Sequence, residues 1–182
     1  MVNINFSPFP ILTTERLTLR QLSANDGQTI FALRSDPAIN KYLGRQPSKT
    51  LEDALNFITS VNENIQQNNS VYWVITLTDT KNVVGTICLF DFSIEKNSCE
   101  IGYELMTKFQ GQGMMKEAAA AVIDFAFETL QFQKIIAFTH NDNRNSTKLL
   151  EKLNFTKSVA ADQEMPDFTI FTLTNSPNKK QD

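Results

Sequence analysis

The sequence predicts one α/β (α+β) domain, with a mixed, mostly antiparallel sheet of about six or seven strands and helices on both faces. Three observations carry this. Residues 70–106 hold three β-patterned runs joined by hairpin-sized links. Residues 98–140 hold a strand, a glycine turn, an amphipathic helix and a second strand, the order that makes two strands parallel. Two helical segments come earlier, between a first strand and the β-rich middle.

The first strand is "ERLTLRQL" (15–22), where Leu17 and Leu19 alternate with polar residues. A helix follows to about residue 35, with Ser23 as its cap and Ile30, Phe31 and Leu33 as apolar positions. "DPAINKYLGRQPSKT" holds a short helical turn and then two breakers, Gly44 and Pro47. In the next helix Leu51, Leu55, Ile58 and Ile65 keep a helical period, and Ser48 or Thr50 can cap it. The runs 70–77, 83–93 and 98–106 read as an antiparallel meander. After the glycines, Met115, Ala118, Ala119, Val122, Phe125 and Ala126 form one apolar helix face. "KIIAFTH" (134–140) has the continuous apolar pattern of a buried strand. "NSTKLLEKLNF" (145–155) is a helix with Leu149, Leu150 and Leu153 on one side, and "FTIFTLT" (168–174) closes the sheet. Residues 1–182 read as a single domain, with a core over about 12–174 and a polar tail at 175–182.

Composition narrows the function classes. Apolar residues make up 41% and charged residues 20%, the balance of a globular protein. A net charge of −3 with no Lys/Arg run gives no pull toward nucleic acid or anionic membrane. No apolar run reaches the length of a membrane span, and the N-terminus lacks a basic segment followed by an apolar one. The expectation is therefore a cytoplasmic protein with reduced Cys88 and Cys99. One His and an unsuitable Cys spacing give no metal site.

The stretch "KFQGQGMMKEAAAAVIDFAFETL" (108–130) raises a chemical question. A helix begins there with no Ser, Thr or Asp to satisfy its first N–H groups. Glycine lets the backbone take a positive φ and lets a ligand approach, and the helix start is electropositive, so an anion can do the capping. The loop is not an NTP-binding loop, because one residue separates its glycines and Met-Met follows. It is not a dinucleotide fingerprint either, because Lys116 stands where a third Gly is needed. On the two glycines alone, a turn that starts a helix without any ligand reads equally well.

The span "EIGYELMTKFQGQGMMKEA", with "NRNSTKLLEKLNF" some thirty residues later and "TTERLTLRQL" near the start, resembles the GNAT acyl-CoA N-acetyltransferases. It looks most like the branch related to ribosomal-protein N-terminal alanine/serine acetyltransferases. The family signature Gln/Arg-x-x-Gly-x-Gly/Ala appears as Gln110 through Met115, with Met115 in place of the small residue. The likeness runs from about residue 12 to 174. It implies a GNAT-like sheet splayed between the strands at 98–106 and 134–140. It also implies acetyl-CoA as cosubstrate: the backbone of Gln110, Gly111, Gln112, Gly113, Met114 and Met115 would cradle the pyrophosphate, and main-chain groups of Leu105 and Met106 would pair with the pantetheine arm. Many members carry a Tyr in the last helix to serve the leaving thiolate, and that position here is Leu150. The ribosomal-protein branch has Asn-x-x-Ser instead, which makes Asn143 a pantetheine partner and Ser146 the partner of the sulfur. Read from the residues, Asn143 and Asn145 are both helix-cap types, so one can cap while the other binds.

Acetyl transfer to an amine needs a neutral amine, donors for the oxyanion and a stabilised thiolate. Family members often use a Glu on the strand at 98–106, which points to Glu100, with Glu104 as the second candidate. Either Glu can instead make a cross-strand ion pair or face solvent. His140, the one His, reads as a strand-end residue. The loops 40–49 and 159–168 are expected to line the acceptor site, with Phe90, Phe92, Trp73 and Tyr103 along its wall or in the core. Glu164, Asp162 and Asp167 would attract a cationic amine or form a solvated turn. The expected activity is acetyl transfer from acetyl-CoA to a primary amine by direct attack in a ternary complex, most readily a protein N-terminal α-amine. A small amine such as a polyamine, amino sugar or antibiotic is the alternative acceptor, and a non-catalytic CoA-binding module the alternative role. The expected state is a monomer or homodimer.

Overall fold

Three hairpin-linked strands form the middle of the sheet: β3 (Val71–Leu77), β4 (Val83–Ser93) and β5 (Ser98–Leu105). The computed structural model describes residues 2–158 and 165–175. The remaining strands are β1 (Leu12–Thr13), β2 (Leu17–Gln21), β6 (Lys134–His140), β7 (Thr156–Lys157) and β8 (Phe168–Thr174). The sheet order is β1-β2-β3-β4-β5-β6-β8-β7, and β5–β6 is the parallel pair, as the crossover requires. The described sheet has eight strands rather than six or seven. The additions are β1 and β7, each two residues long and too short to show alternation.

Helices cover both faces, as adjacent residues of β3 reveal. Tyr72 meets Phe57 edge-on at 5.6 Å, from α3 (Leu51–Gln66). Trp73, on the opposite face by the strand's period of two, meets Phe125 at 5.6 Å, at the end of α4 (Met114–Asp124). Trp73 is fully buried, and its indole N–H donates to the Pro10 carbonyl at 2.7 Å, so burial leaves no orphaned donor. All six residues expected on the apolar face of α4 are buried.

The earlier helices follow their caps. Asp26 accepts from the Ser23 N–H at 2.9 Å and leads into α1 (Gly27–Ser35). Asp36 caps the four-residue α2 (Pro37–Asn40), and Thr50 rather than Ser48 caps α3. The buried face of α3 is Ala54, Ile58, Val61 and Ile65. Leu51 and Leu55 lie at its rim, over Gly27, where a β-carbon would meet Leu55 at 2.8 Å. The last helix, α5 (Arg144–Lys152), buries Leu150.

Two irregularities shape the site. First, β5 and β6 pair only from Ser98–Lys134 to Glu100–Ile136 and then separate, although β5 continues to Leu105 and β6 to His140. That fork is the splay the resemblance implies. Second, β4 bulges between Phe90 and Ser93, with Asp91 at φ 47°, a strained conformation for a residue with a side chain. The bulge turns the Asp91 carboxylate onto Glu100.

Candidate functional site

The helix start that the sequence leaves uncapped is uncapped in the structure. Gly113 precedes α4 at φ 79°, Gly111 lies at φ 75°, and no side chain caps the helix. The first helical bond runs from the Glu117 N–H to the Gly113 carbonyl at 3.1 Å. The N–H groups of residues 111 through 116 find no acceptor among the described residues. With glycine at the cap position the missing side-chain cap costs on the order of a few tenths of a kcal/mol, so the chain leaves this end open at little cost in stability.

Residues far away in sequence brace the open end. The Glu117 carboxylate accepts from Arg16 Nε at 2.7 Å, the Arg16 N–H at 2.9 Å and Thr14 Oγ1 at 2.6 Å. Arg16 Nη1 then donates to the Gln112 carbonyl inside the glycine loop at 3.1 Å. The ion pair is partly exposed and worth less than about 1 kcal/mol, so its value lies in holding the loop's shape. Arg16→Met is expected to change thermal unfolding little while weakening CoA binding by about tenfold, roughly 1.4 kcal/mol, in a calorimetric titration.

A cleft of about 430 Å³ opens from this loop toward the fork. Tyr103, Glu104 and Leu105 line one wall, Gly111, Gly113, Met114 and Met115 the base, and Asn143, Ser146 and Leu149 the other wall, with Tyr42 and Leu43 at one end. Lys116, Lys148 and Lys152 also line it and add positive charge to the cleft that holds the free N–H groups. Of the residues expected to bind the cosubstrate, Leu105, Gln110, Gly111, Gly113, Met114, Met115, Asn143 and Ser146 meet here. Gln112 and Met106 do not line the cleft. The Met106 N–H is committed to the Val84 carbonyl at 2.9 Å, and its carbonyl accepts from Phe109. By the alternation of the ladder, the main-chain groups of Tyr103 and Leu105 face the gap instead. The Leu105 carbonyl takes one bond from Gln110 Nε2 at 3.0 Å.

Asn143, not Asn145, caps α5: its Oδ1 accepts from the Ser146 N–H at 3.2 Å. This leaves its amide NH₂ without a partner among the described residues. The Ser146 hydroxyl lies 2.9 Å from the Tyr103 phenol, and burial pushes that phenol up to about 12.

The two carboxylates on β5 have different surroundings. Glu104 is buried, one oxygen taken by Arg45 and the other by the Thr86 hydroxyl at 3.2 Å. Arg45 also donates to Asn40 Oδ1 at 2.8 Å, which ties the loop after α2 to the sheet. Glu100 has no such cation. Burial first, then the Asp91 carboxylate that shares a hydrogen bond with it, raises its pKa to about 7. It stands at the last paired rung before the fork, outside the residues that line the cleft.

Of the aromatic residues expected along the wall, Trp73 is core, and Phe92 packs against Phe6 and Phe132. Phe90 is partly exposed beside Gly102, and Tyr103 lines the cleft. Tyr42, from the first loop expected at the acceptor site, and Phe168, the last residue of the second, both pack on His140, with ring centroids 5.4 Å and 5.5 Å away. The His140 Nδ1 accepts from the Asp142 N–H at 3.2 Å. Asp162 and Glu164 fall outside the described residues. Asp167 is exposed. Cys88 and Cys99 are both free, and burial raises each thiol to about 12, which makes them unreactive. Among the described residues no group of three or more His, Cys, Asp or Glu is placed to hold a metal, and no helix is long and apolar enough to cross a membrane.

An open helix start, a lysine-lined cleft and a forked parallel strand pair are suited to an anion carried on an extended arm. Comparison with known proteins identifies the class: the chain belongs to the acetyltransferase (GNAT) domain family, which matches residues 16–156. It is an acetyl-CoA-dependent N-acetyltransferase. It is 32% identical to the uncharacterized N-acetyltransferase YoaA of Bacillus subtilis (strain 168), over 86% of this chain and 89% of that protein. It is 28% identical to the [ribosomal protein uS5]-alanine N-acetyltransferase of Escherichia coli (strain K12), over 80% of this chain and 78% of that one. The fold matches the crystal structure of an acetyltransferase from Agrobacterium tumefaciens (strain C58) with a TM-score of 0.78 at 25% identity, over 92% of this chain and 95% of that chain.

Proposed function

We propose that this enzyme acetylates a protein N-terminal α-amine, with Glu100 as the base. The observation that carries this reading is Glu100 at the fork of β5 and β6, with its proton held at about 7. An α-ammonium has a pKa of about 7.7–8.0 and lysine about 10.4, so a base at about 7 is matched to the first and weak for the second. The likeness to the uS5-alanine enzyme supports the same acceptor class.

In this reading the pyrophosphate of CoA rests on the backbone of Gln110 through Met115, within reach of Lys116, Lys148 and Lys152. The pantetheine arm runs along Tyr103 and Leu105 toward the fork, with the Asn143 amide donating to it. Glu100 and Tyr103 lie three apart on β5 and therefore on opposite faces of the sheet. The amine approaches from the Glu100 face and gives its proton to that carboxylate, directly or through a water. Its lone pair attacks the thioester carbon, and the C–S bond breaks toward Ser146 on the other face. Positioning both reactants supplies much of the rate. Glu104 serves the architecture, because Arg45 and Thr86 already hold both its oxygens.

The test is thiol release from acetyl-CoA with three acceptors: a peptide beginning with free Ala, the same peptide blocked at its α-amine but carrying Lys, and spermidine or an amino sugar. Turnover with the first and not the second is expected. Turnover confined to the small amines would reject the protein acceptor.

A further inference from the structure

The cleft contains one pair of hydroxyl groups, Tyr103 and Ser146, brought together from positions 43 residues apart. Neither oxygen has another hydrogen-bond partner among the described residues. Ser146 is fixed at the first turn of α5 by Asn143, and Tyr103 is fixed on β5, three residues past the fork. Two hydroxyls in contact have two hydrogens, and one lies between them. The second must point elsewhere, and the open direction is the cleft. The α5 position where many relatives carry a Tyr is Leu150, which is fully buried, so no phenol reaches the cleft from that helix residue. The phenol on hand comes from β5.

We propose that Tyr103 is a positioning residue for the leaving group: it donates its hydrogen to Ser146 Oγ and so turns the Ser146 O–H toward the sulfur of CoA. The inference rests on the reading of Ser146 as the partner of that sulfur. No bond to Tyr103 is made or broken. As the C–S bond of the tetrahedral intermediate breaks, its electron pair stays on sulfur, and the Ser146 O–H bonds to the new charge. The Tyr103 O–H behind it strengthens that bond, because a chain of hydrogen bonds polarises each member. A phenol at about 12 is a weaker acid than a thiol at about 8.5, so the proton stays on Tyr103. The thiolate leaves as a stabilised anion; the attacking nitrogen sheds its remaining extra proton to water as the intermediate collapses, and water returns a proton to the thiolate.

The experiment titrates the thiol of enzyme-bound CoA by the ultraviolet absorbance of its thiolate, in wild type, Tyr103→Phe, Ser146→Ala and the double variant, alongside kcat and KM for acetyl-CoA. The expected result is a thiol pKa below that of free CoA in wild type, moved back toward the free value by either single change. CoA affinity should stay within about twofold while kcat falls about tenfold in Tyr103→Phe, and the double variant should be no slower than Ser146→Ala, because one group acts through the other. A normal thiol titration and kcat in Tyr103→Phe, or a Tyr103 effect that adds in full to that of Ser146, would overturn the proposal. Failure of wild type to bind CoA would remove the underlying reading as well, and that outcome is visible before any variant is made.

Discussion

Gly113→Glu is expected to weaken CoA binding by at least about a hundredfold, roughly 2.7 kcal/mol, in a calorimetric titration. Three effects add. Gly113 sits at φ 79°, where a residue with a β-carbon is strained by about 1–2 kcal/mol, so the free loop of the variant relaxes to another shape and binding has to restore this one. A carboxylate at the start of α4 occupies the electropositive end that the pyrophosphate needs. The substituted side chain also grows toward Arg16, whose Nη2 would lie 3.5 Å from a β-carbon at this position, and competes for the brace that shapes the loop. Gly113→Ala separates these contributions. It keeps the strain and adds no charge, so it should lose less, about tenfold. At Gly111 a β-carbon would meet nothing within 4 Å, and only the strain at φ 75° opposes Gly111→Ala. Full CoA affinity in Gly113→Glu would mean the anion binds elsewhere.

The second large effect is at Glu100. Glu100→Gln should lower kcat by about 10²–10⁴, the usual worth of a positioned base. In wild type kcat/KM should rise with pH through about 7, as Glu100 ionises. The variant should lose this limb. Asp91→Asn should move it to lower pH, since the neighbouring carboxylate helps to hold the proton. Stability shifts the opposite way. The pKa of Glu100 is raised in the folded state from the usual 4.5, so the folded chain binds the extra proton, and stability present below about 4.5 is lost as pH rises through about 7. Glu100→Gln carries no such loss. It should match wild type near pH 4.5 and exceed it at pH 8 by on the order of 1 kcal/mol after allowance for solvent screening, as measured by denaturant unfolding. A variant that is slower yet more stable above pH 7 is the signature of a group strained for its role.

What could be read in the sequence was what short-range periodicity encodes. The face of α4 and the meander follow from spacings within a few residues and the parallel pair β5–β6 from the strand–helix–strand order, and the structure has them all. So does the uncapped helix start, visible as an absence of Ser, Thr and Asp before Met114. Long-range pairings were not readable. Arg45 and Glu104 lie 59 residues apart, and Arg16 and Glu117 101 residues apart, and no spacing rule links such positions. The same holds for Tyr103 and Ser146. The conformation of Asp91 was hidden for a different reason: "FDFS" contains no Gly to announce a positive φ, and the bulge is imposed by the register with β5. Leu51 and Leu55 kept the helical period of α3 and still ended at its rim, because periodicity marks a stripe and not which edge of it meets the sheet. The main-chain partners of Met106 are set by strand alternation, which the motif does not carry: the ladder turns its N–H to Val84 and leaves Tyr103 and Leu105 facing the gap.

The central claim is that the glycine loop holds the pyrophosphate of CoA, and the most direct measurement is a calorimetric comparison of CoA with pantetheine, which has the arm but no pyrophosphate. Free N–H groups at residues 111–116, with Lys116, Lys148 and Lys152 in the same cleft, predict that CoA binds at least about a hundredfold more tightly, a margin that narrows as salt is raised. Equal affinities for the two, unchanged by salt, would contradict it.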